Sequence, residues 1–409
     1  MKNVPELRFK GLESNYEIKK ISSLLERVSN SVDVNPIEFY RQIGIRSHGK
    51  GIFYKDAVSG ESLGNKRVFW VEPNVFILNI VFAWERAVAK TTDAEIGMIA
   101  SHRFPMYKPK SGVLDLDYIT LFFKTTRGKY LLELASPGGA GRNKTLGQKE
   151  FENLELAIPT IFEQKKIAAF FSLIDKKIEL QTEKVEELKN YKKGLMQKIF
   201  SQELRFKDEN GNKYPEWEEK TLQQIGFTYA GLSGKTKEDF GFGNGSFVTY
   251  INVFRNTLAK RMIEQVNISE QENQNPVLKG DLLFTTSSET PNEVGMVSCW
   301  DYEIKNLYLN SFCFGYRIYN HNSYSPIFLA YMLRSGEYRK KISILAQGST
   351  RYNISKTELM KMKVQCPCME EQQKIVALLL NLELKTEEEQ NKLNELLQYK
   401  KGLLQQMFI

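Results

Sequence analysis

Residues 163–200 read EQKKIAAFFSLIDKKIELQTEKVEELKNYKKGLMQKIF, and residues 371–408 read EQQKIVALLLNLELKTEEEQNKLNELLQYKKGLLQQMF, an ungapped match at a constant offset of 208. A chain that carries one long helical segment twice must build two equivalent halves around it. Glu163 matches Glu371, Tyr191 matches Tyr399 and Phe200 matches Phe408. Pro159 and Pro367 keep the same spacing. Each closes a strand-like run, Leu154–Ile158 and Met362–Cys366, before its helix begins.

Within the first copy, Ile167, Phe171, Ile174, Ile178, Val185, Leu188, Leu195 and Ile199 fall on alternating four- and three-residue steps, interrupted by Gln181 and Lys192. That is the seam of a coiled coil. Ile375, Leu379, Leu382, Leu393, Leu396, Leu403 and Met407 take the matching positions in the second copy, where Glu389 and Lys400 interrupt and Thr386 is a further weak point. Gly194 and Gly402 sit inside the copies at a cost of about 1 kcal/mol each relative to Ala, so either they are tolerated or another backbone comes close. A helix of about 38 residues is roughly 57 Å long, enough to set a distance between globular parts.

A second match, Glu6–Lys10 (ELRFK) with Glu203–Lys207, ties the front of the chain to the residues after the first helix. It predicts that residues 6–10 abut the end of the second helix near Phe408 and that the molecule is pseudo-circular. The two long helices are expected to pair antiparallel. Two heads that differ in sequence far more than the helices fill the rest. Short β-like runs such as Val75–Phe82 and Gly280–Thr286, punctuated by Gly and Asn, make mixed α/β heads the expectation. The fold class is therefore α+β, with two mixed α/β heads separated by a pair of long antiparallel coiled-coil helices in a pseudo-twofold repeat. The expected divisions are 1–158 for the first head with the N-terminal segment, 159–202 for the first helix, 203–366 for the second head and 367–409 for the second helix.

At 409 residues there is length for two cores, and a formal net charge of +8 favours an acidic partner such as nucleic acid. Residues 1–150 carry 23 basic and 16 acidic side chains, so the first half should feel phosphate more strongly. Cys299, Cys313, Cys366 and Cys368 lack the paired spacing of a zinc site or disulfide framework. His48, His102 and His321 are scattered without ligand partners, so no metal site is expected. The Gly241–Gly245 stretch lacks the order of a phosphate loop or a dinucleotide turn. With no apolar leader or spanning run, the expectation is a soluble cytoplasmic protein with no membrane contact.

The duplicated EQxKI…YKKGL(L/M)Q helix, the ELRFK opener and Pro215-Glu216-Trp217 together resemble the specificity subunit of Type I restriction-modification systems across the whole chain. The first half departs from the pattern in having Asn15-Tyr16-Glu17 where a Trp-Glu pair is expected. The resemblance implies two target recognition domains, each reading one half of a split site in double-stranded DNA. It also implies long helices that set the unread spacer and bind two modification (methyltransferase) subunits. The chain would be non-catalytic by itself, the recognition subunit of an adenine DNA methyltransferase and ATP-dependent restriction endonuclease, joined where present by restriction (motor/nuclease) subunits. No cofactor is expected on this chain; S-adenosylmethionine, ATP and Mg belong on its partners.

Loops rich in hydrogen-bond donors are then the candidate DNA contacts. In the first head these are Arg46, Ser47, His48 and Lys50; Ser101, His102, Arg103, Tyr107 and Lys108; and Arg142, Asn143 and Lys144. In the second they are Arg255, Asn256, Lys260 and Arg261; Ser287, Ser288 and Asn292; and Arg351, Tyr352 and Asn353. Trp84-Glu85-Arg86 and Tyr316-Arg317 are read as core rather than as contacts. The competing readings are a single-chain DNA methyltransferase or nuclease, and a coiled-coil protein-binding scaffold. An adenine methyltransferase would be expected to show an Asn/Asp-Pro-Pro-Tyr/Phe run, and the sequence has no Pro-Pro at all.

Overall fold

A computed structural model describes residues 4–138 and 144–408. It divides into two compact units, Met1–Thr182 with Asn391–Ile409, and Glu183–Gln390. The two repeats are continuous helices, Ile161–Phe200 and Met369–Met407, and each contributes residues to both units. Neither helix contains a proline, and acidic residues stand in both first turns, where they complement the helix dipole.

Every seam position named from the sequence is buried or half-buried in both helices, including the polar interruptions. The charged interruptions Lys192, Glu389 and Lys400 are satisfied by ion pairs. In the second unit Lys192 reaches Glu383 at 2.9 Å and Lys184 reaches Glu389 at 3.0 Å. In the first unit Lys400 pairs with Asp175, the repeat-related counterpart of the Lys192–Glu383 pair. A Cβ added to Gly194 or Gly402 would meet nothing within 4 Å, so among the described residues no backbone outside its own helix approaches either glycine.

The start of each long helix is a buried polar socket. Glu163 and Gln164 in the first unit, and Glu371 and Gln372 in the second, are fully buried. The Arg8 guanidinium holds Glu163 through bonds of 3.0 and 2.7 Å, and the Tyr16 hydroxyl donates to it at 3.2 Å. Arg205 holds Glu371 at 3.0 and 2.9 Å, and the Trp217 indole N–H donates at 3.2 Å. The departure at Asn15-Tyr16-Glu17 is thereby explained: Tyr16 supplies the donor that Trp217 supplies in the other half. Gln164 ties its helix to the head by donating to the Val113 and Pro159 carbonyls and accepting from the Asp115 amide. Gln372 does the same with Ser323, Pro367 and Ser325.

The heads share a topology that their sequences hide. In the first, strands Leu25–Val28, Met106–Pro109, Phe76–Leu78 and Val88–Lys90 form one sheet in that spatial order. In the second, Gly226–Ala230, Cys313–Ile318, Leu282–Thr285 and Val297–Cys299 repeat it. A second sheet in each head contains a parallel pairing, Gln42 opposite Ile99 in the first and Ser246–Val248 opposite Leu307–Leu309 in the second. Strand Glu17–Lys20 pairs antiparallel with Glu155–Ile158, and Glu218–Thr221 with Lys363–Cys366, just before each long helix. The apolar run Val75–Phe82 is a strand only over Phe76–Leu78, because Asn79 turns the chain by accepting from the Val81 amide at 3.1 Å.

Each core runs from the head onto the helices. Phe76, Tyr107, Phe151, Ile167, Phe171, Leu403, Met407 and Phe408 belong to one cluster, and Ile199, Trp217, Phe284, Phe328, Ile375 and Leu379 to another. Cys299, Cys313 and Cys366 are buried free thiols, and burial pushes the Cys366 thiol up to about 12. No described helix is long and apolar enough to cross a membrane.

Candidate nucleic-acid interface

In the first head, strands Phe39–Ile45 and Ile52–Ser59 are joined through residues 46–51, a turn in which His48, Gly49 and Gly51 all take positive φ. The loop docks on the turn 79–87. The His48 amide donates to the Glu85 carbonyl at 2.7 Å, the Gly49 amide to the Arg86 carbonyl at 2.8 Å, and the Ser47 hydroxyl to the Glu85 carboxylate at 2.8 Å. The same turn gathers two further segments, since Ile80 donates to the Arg103 carbonyl at 3.0 Å and accepts from the Leu146 amide at 2.8 Å. The Lys144 ammonium lies 5.8 Å from the centre of the Trp84 ring. Arg46, Lys50, His102 and Arg103 are exposed around this turn.

The second head assembles the equivalent segments around residues 286–296. Thr286 donates to the Phe312 carbonyl at 2.9 Å and accepts from the Ile354 amide at 2.9 Å, as Ile80 does with Arg103 and Leu146. Ser287 and Ser288 pair with Asn353 and Tyr352. Where the first head has the 46–51 loop, the second has helix Tyr250–Arg255, capped by Thr249. The Tyr250 hydroxyl donates to the Ser287 carbonyl at 2.7 Å. A cleft of about 470 Å³ opens there, with Tyr250, Phe254, Ser287, Ser288, Glu289 and Arg351 on its walls. Arg351 extends over the Phe312 ring at 5.4 Å.

Residues distant in sequence are thus brought together in each head, with donors for phosphate or guanine edges and the Glu85, Glu289 and Glu293 carboxylates as acceptors suited to a cytosine amino group. Not every sequence candidate reaches this surface. Tyr107 is 1% exposed and packs on Phe151 inside the core, a correction forced by strand alternation: its neighbour Lys108 takes the outward face. Ser287 and Ser288 are buried and can contribute only at the cleft floor. The Asn256 amide is already used in capping, donating to the Asn252 carbonyl and side chain at 3.0 Å each. Ser101 is half-buried and accepts from the Arg103 amide at 3.4 Å. Lys260 is exposed but pairs with Glu387 at 3.0 Å. Arg255, Arg261, Asn292 and Asn353 are exposed and Tyr352 is half-buried. Arg142 and Asn143 lie outside the described residues.

Sequence reasoning passed over the hub of the first head, Phe82 to Arg86. Two aromatics directly after an apolar strand were its only signal, and Phe82 stands 38% exposed there. Tyr316 and Arg317 are structural: the Tyr316 hydroxyl donates to the Leu222 carbonyl at 2.7 Å, and Arg317 grips Asp281 at 2.8 and 2.7 Å.

The family model for the Type I restriction modification DNA specificity domain matches residues 70–190 and 214–398, which together make up well over half of the chain. The chain belongs to the Type I restriction-modification DNA specificity family. The specificity subunit of the Type I restriction enzyme MjaVIII from Methanocaldococcus jannaschii is 28% identical over 238 residues, covering 55% of this chain. The match spans 54% of that relative's own length.

The fold is also that of solved members of the specificity family. The HsdS subunit from Thermoanaerobacter tengcongensis superposes with a TM-score of 0.53 at 18% identity, over 97% of each chain. The Type I restriction-modification S subunit from M. genitalium gives 0.56 at 14% identity, over 99% of each. A chain from a structure describing complex assembly and conformational transition of the Type I system gives 0.62 at 17% identity, over 97% of this chain and 98% of that one.

Proposed function

We propose that this chain is the non-catalytic specificity subunit of a Type I restriction-modification complex, each head reading one half of a bipartite site in double-stranded DNA. The observation that carries the reading is one loop arrangement built twice on a duplicated frame with different side chains: Ile80, Arg103 and Leu146 in one head, Thr286, Phe312 and Ile354 in the other. A repeated scaffold with divergent loops suits two readers of different sequence.

The long helices would set the spacer and bind two modification subunits, with restriction subunits added where the system has them. S-adenosylmethionine, ATP and Mg belong on those partners, and the assembled enzyme would methylate adenine and, with restriction subunits, cut DNA in the cytoplasm. Mapping methylated adenines in a host genome with and without this gene tests the proposal. The expected outcome is one gene-dependent bipartite motif with a fixed spacer. No gene-dependent motif, or methylation or cleavage by the purified chain alone, overturns it.

A further inference from the structure

Two half-buried arginines of the second head use their donors on main chain. Arg334, the last residue of helix Pro326–Arg334, donates to the carbonyls of Val253, Phe254 and Asn256 at 2.8, 2.9 and 2.9 Å, and also to Val297. Arg339, on helix Gly336–Ile344, donates to Gly295 and Asn292 at 2.9 Å each and to Val294. Burial pushes both guanidiniums down to about 10, with Arg339 adding to the effect on Arg334, so both stay charged at neutral pH.

The carbonyls they hold are not scattered. Val253 and Phe254 lie in the last turn of helix Tyr250–Arg255, where a helix leaves its carbonyls without partners, and Asn256 is the residue that caps it. Asn292, Val294 and Gly295 belong to the turn that follows Ser287–Ser288. Arg334 and Arg339 therefore clamp two of the segments beside the cleft, including the backbone that carries Arg255 and Asn292. A desolvated guanidinium is a poor general stabiliser compared with apolar packing, but its fixed fork of donors fixes carbonyl positions well.

In the first head a lysine takes the place of Arg334, and among the described residues the half-buried Arg86 donates to the carbonyl of that lysine, Lys124, at 3.2 Å. Lys124 precedes the helix cap Thr125 as Arg334 precedes Ser335, and its stem packs beneath Gly49, where an added Cβ would lie 2.9 Å from the Lys124 Cγ. There the loop is held instead by the main-chain bonds of His48 and Gly49 to the Glu85–Arg86 turn.

We propose that Arg334 and Arg339 are positioning residues for base discrimination by the second head, fixing helix Tyr250–Arg255 and the 291–295 turn at the placement from which their side chains meet base edges. The proposal rests on the DNA-reading function given above.

The test uses the full chain assembled with its modification subunits, carrying Arg334→Lys, Arg339→Lys or Arg334→Met. Lysine keeps the charge and loses the fork. The readouts are complex yield, the genomic methylation motif, and in vitro discrimination against single base-pair changes. The half-site of the second head is the one that persists when residues 11–158 are replaced. Each lysine variant is expected to assemble and to lose roughly tenfold of its discrimination at one or more positions of that half-site, with the other half-site unchanged. Arg334→Met should lose more; if it does not assemble, the lysine variants decide. The proposal is overturned if they retain full discrimination, lose it equally at both half-sites, lower methylation uniformly with an unchanged motif, or fail to assemble. Absence of any bipartite motif with the unaltered chain would instead refute the DNA-reading function itself.

Discussion

The Leu7 amide donates to the Gln406 carbonyl at 3.0 Å, and the Leu204 amide donates to the Lys198 carbonyl at the same 3.0 Å. The acceptors are related by the 208-residue offset and the donors by the ELRFK match, so one bond is made twice. After the first helix it is local. After the second it is made by the front of the chain, so residues 6–10 abut the end of that helix as the ELRFK match predicts.

The two buried sockets should be expensive to break. Glu371→Ala leaves the Trp217 N–H without its acceptor and Arg205 with only Glu216 and the Tyr214 and Pro215 carbonyls, and is expected to cost about 2–3 kcal/mol, the loss of hydrogen bonds to a charged buried group. Tyr16→Phe removes one donor to Glu163 and should cost only about 1 kcal/mol. Denaturant unfolding measures both, and equal losses would contradict the ranking.

Gly194→Ala and Gly402→Ala meet open space in this chain, so each should stabilise the isolated protein by about 0.5–1 kcal/mol. Thermal unfolding checks this. A variant that is more stable alone but assembles less well would place a partner backbone against that glycine.

Glu272 accepts from Lys235, Gln274 and the Ser269 amide, and these bonds, led by Lys235, hold its carboxyl at about 2 against an ordinary 4.5. A carboxylate lowered on folding stabilises the native state above its unfolded value and loses that contribution as pH falls through the folded one. Glu272→Gln should therefore flatten the stability profile between about pH 4.5 and 2 and leave its shape near neutrality unchanged. Melting temperature followed against pH decides it.

Replacing residues 11–158 with another head should change one half-site of the methylation motif and leave the other intact. A change in both would count against independent heads.

Four residues inserted into helix Ile161–Phe200 lengthen it by about 6 Å, near two base pairs. The spacer in the mapped motif should grow, or activity should fail; an unchanged spacer with full activity would contradict the helix as ruler.

The helical repeat was readable because a coiled-coil seam is local. Burial at Ile167, Phe171, Ile375 and Leu379 follows from spacing alone, and so does the placement of ELRFK, since the same segment follows the first helix directly. Nothing in the sequence marks the Glu163–Gln164 and Glu371–Gln372 dipeptides as buried, yet they are the core of the sockets, because their partners Arg8, Tyr16, Arg205 and Trp217 lie far away in sequence. Tyr107 was misplaced for a related reason: donor-rich composition says nothing about which face of a strand points inward.

What the sequence determined by itself is the duplicated helix, its seam and the placement of ELRFK at its end, all set by short-range periodicity and repetition. What only the tertiary structure decided is the interface. Ser47 with Glu85, Thr286 with Phe312 and Arg334 with Val253 meet through non-local hydrogen bonds whose geometry depends on how two sheets and their turns pack. No periodicity along the chain encodes those meetings, so the loops could be named as donor-rich but not assembled into a surface.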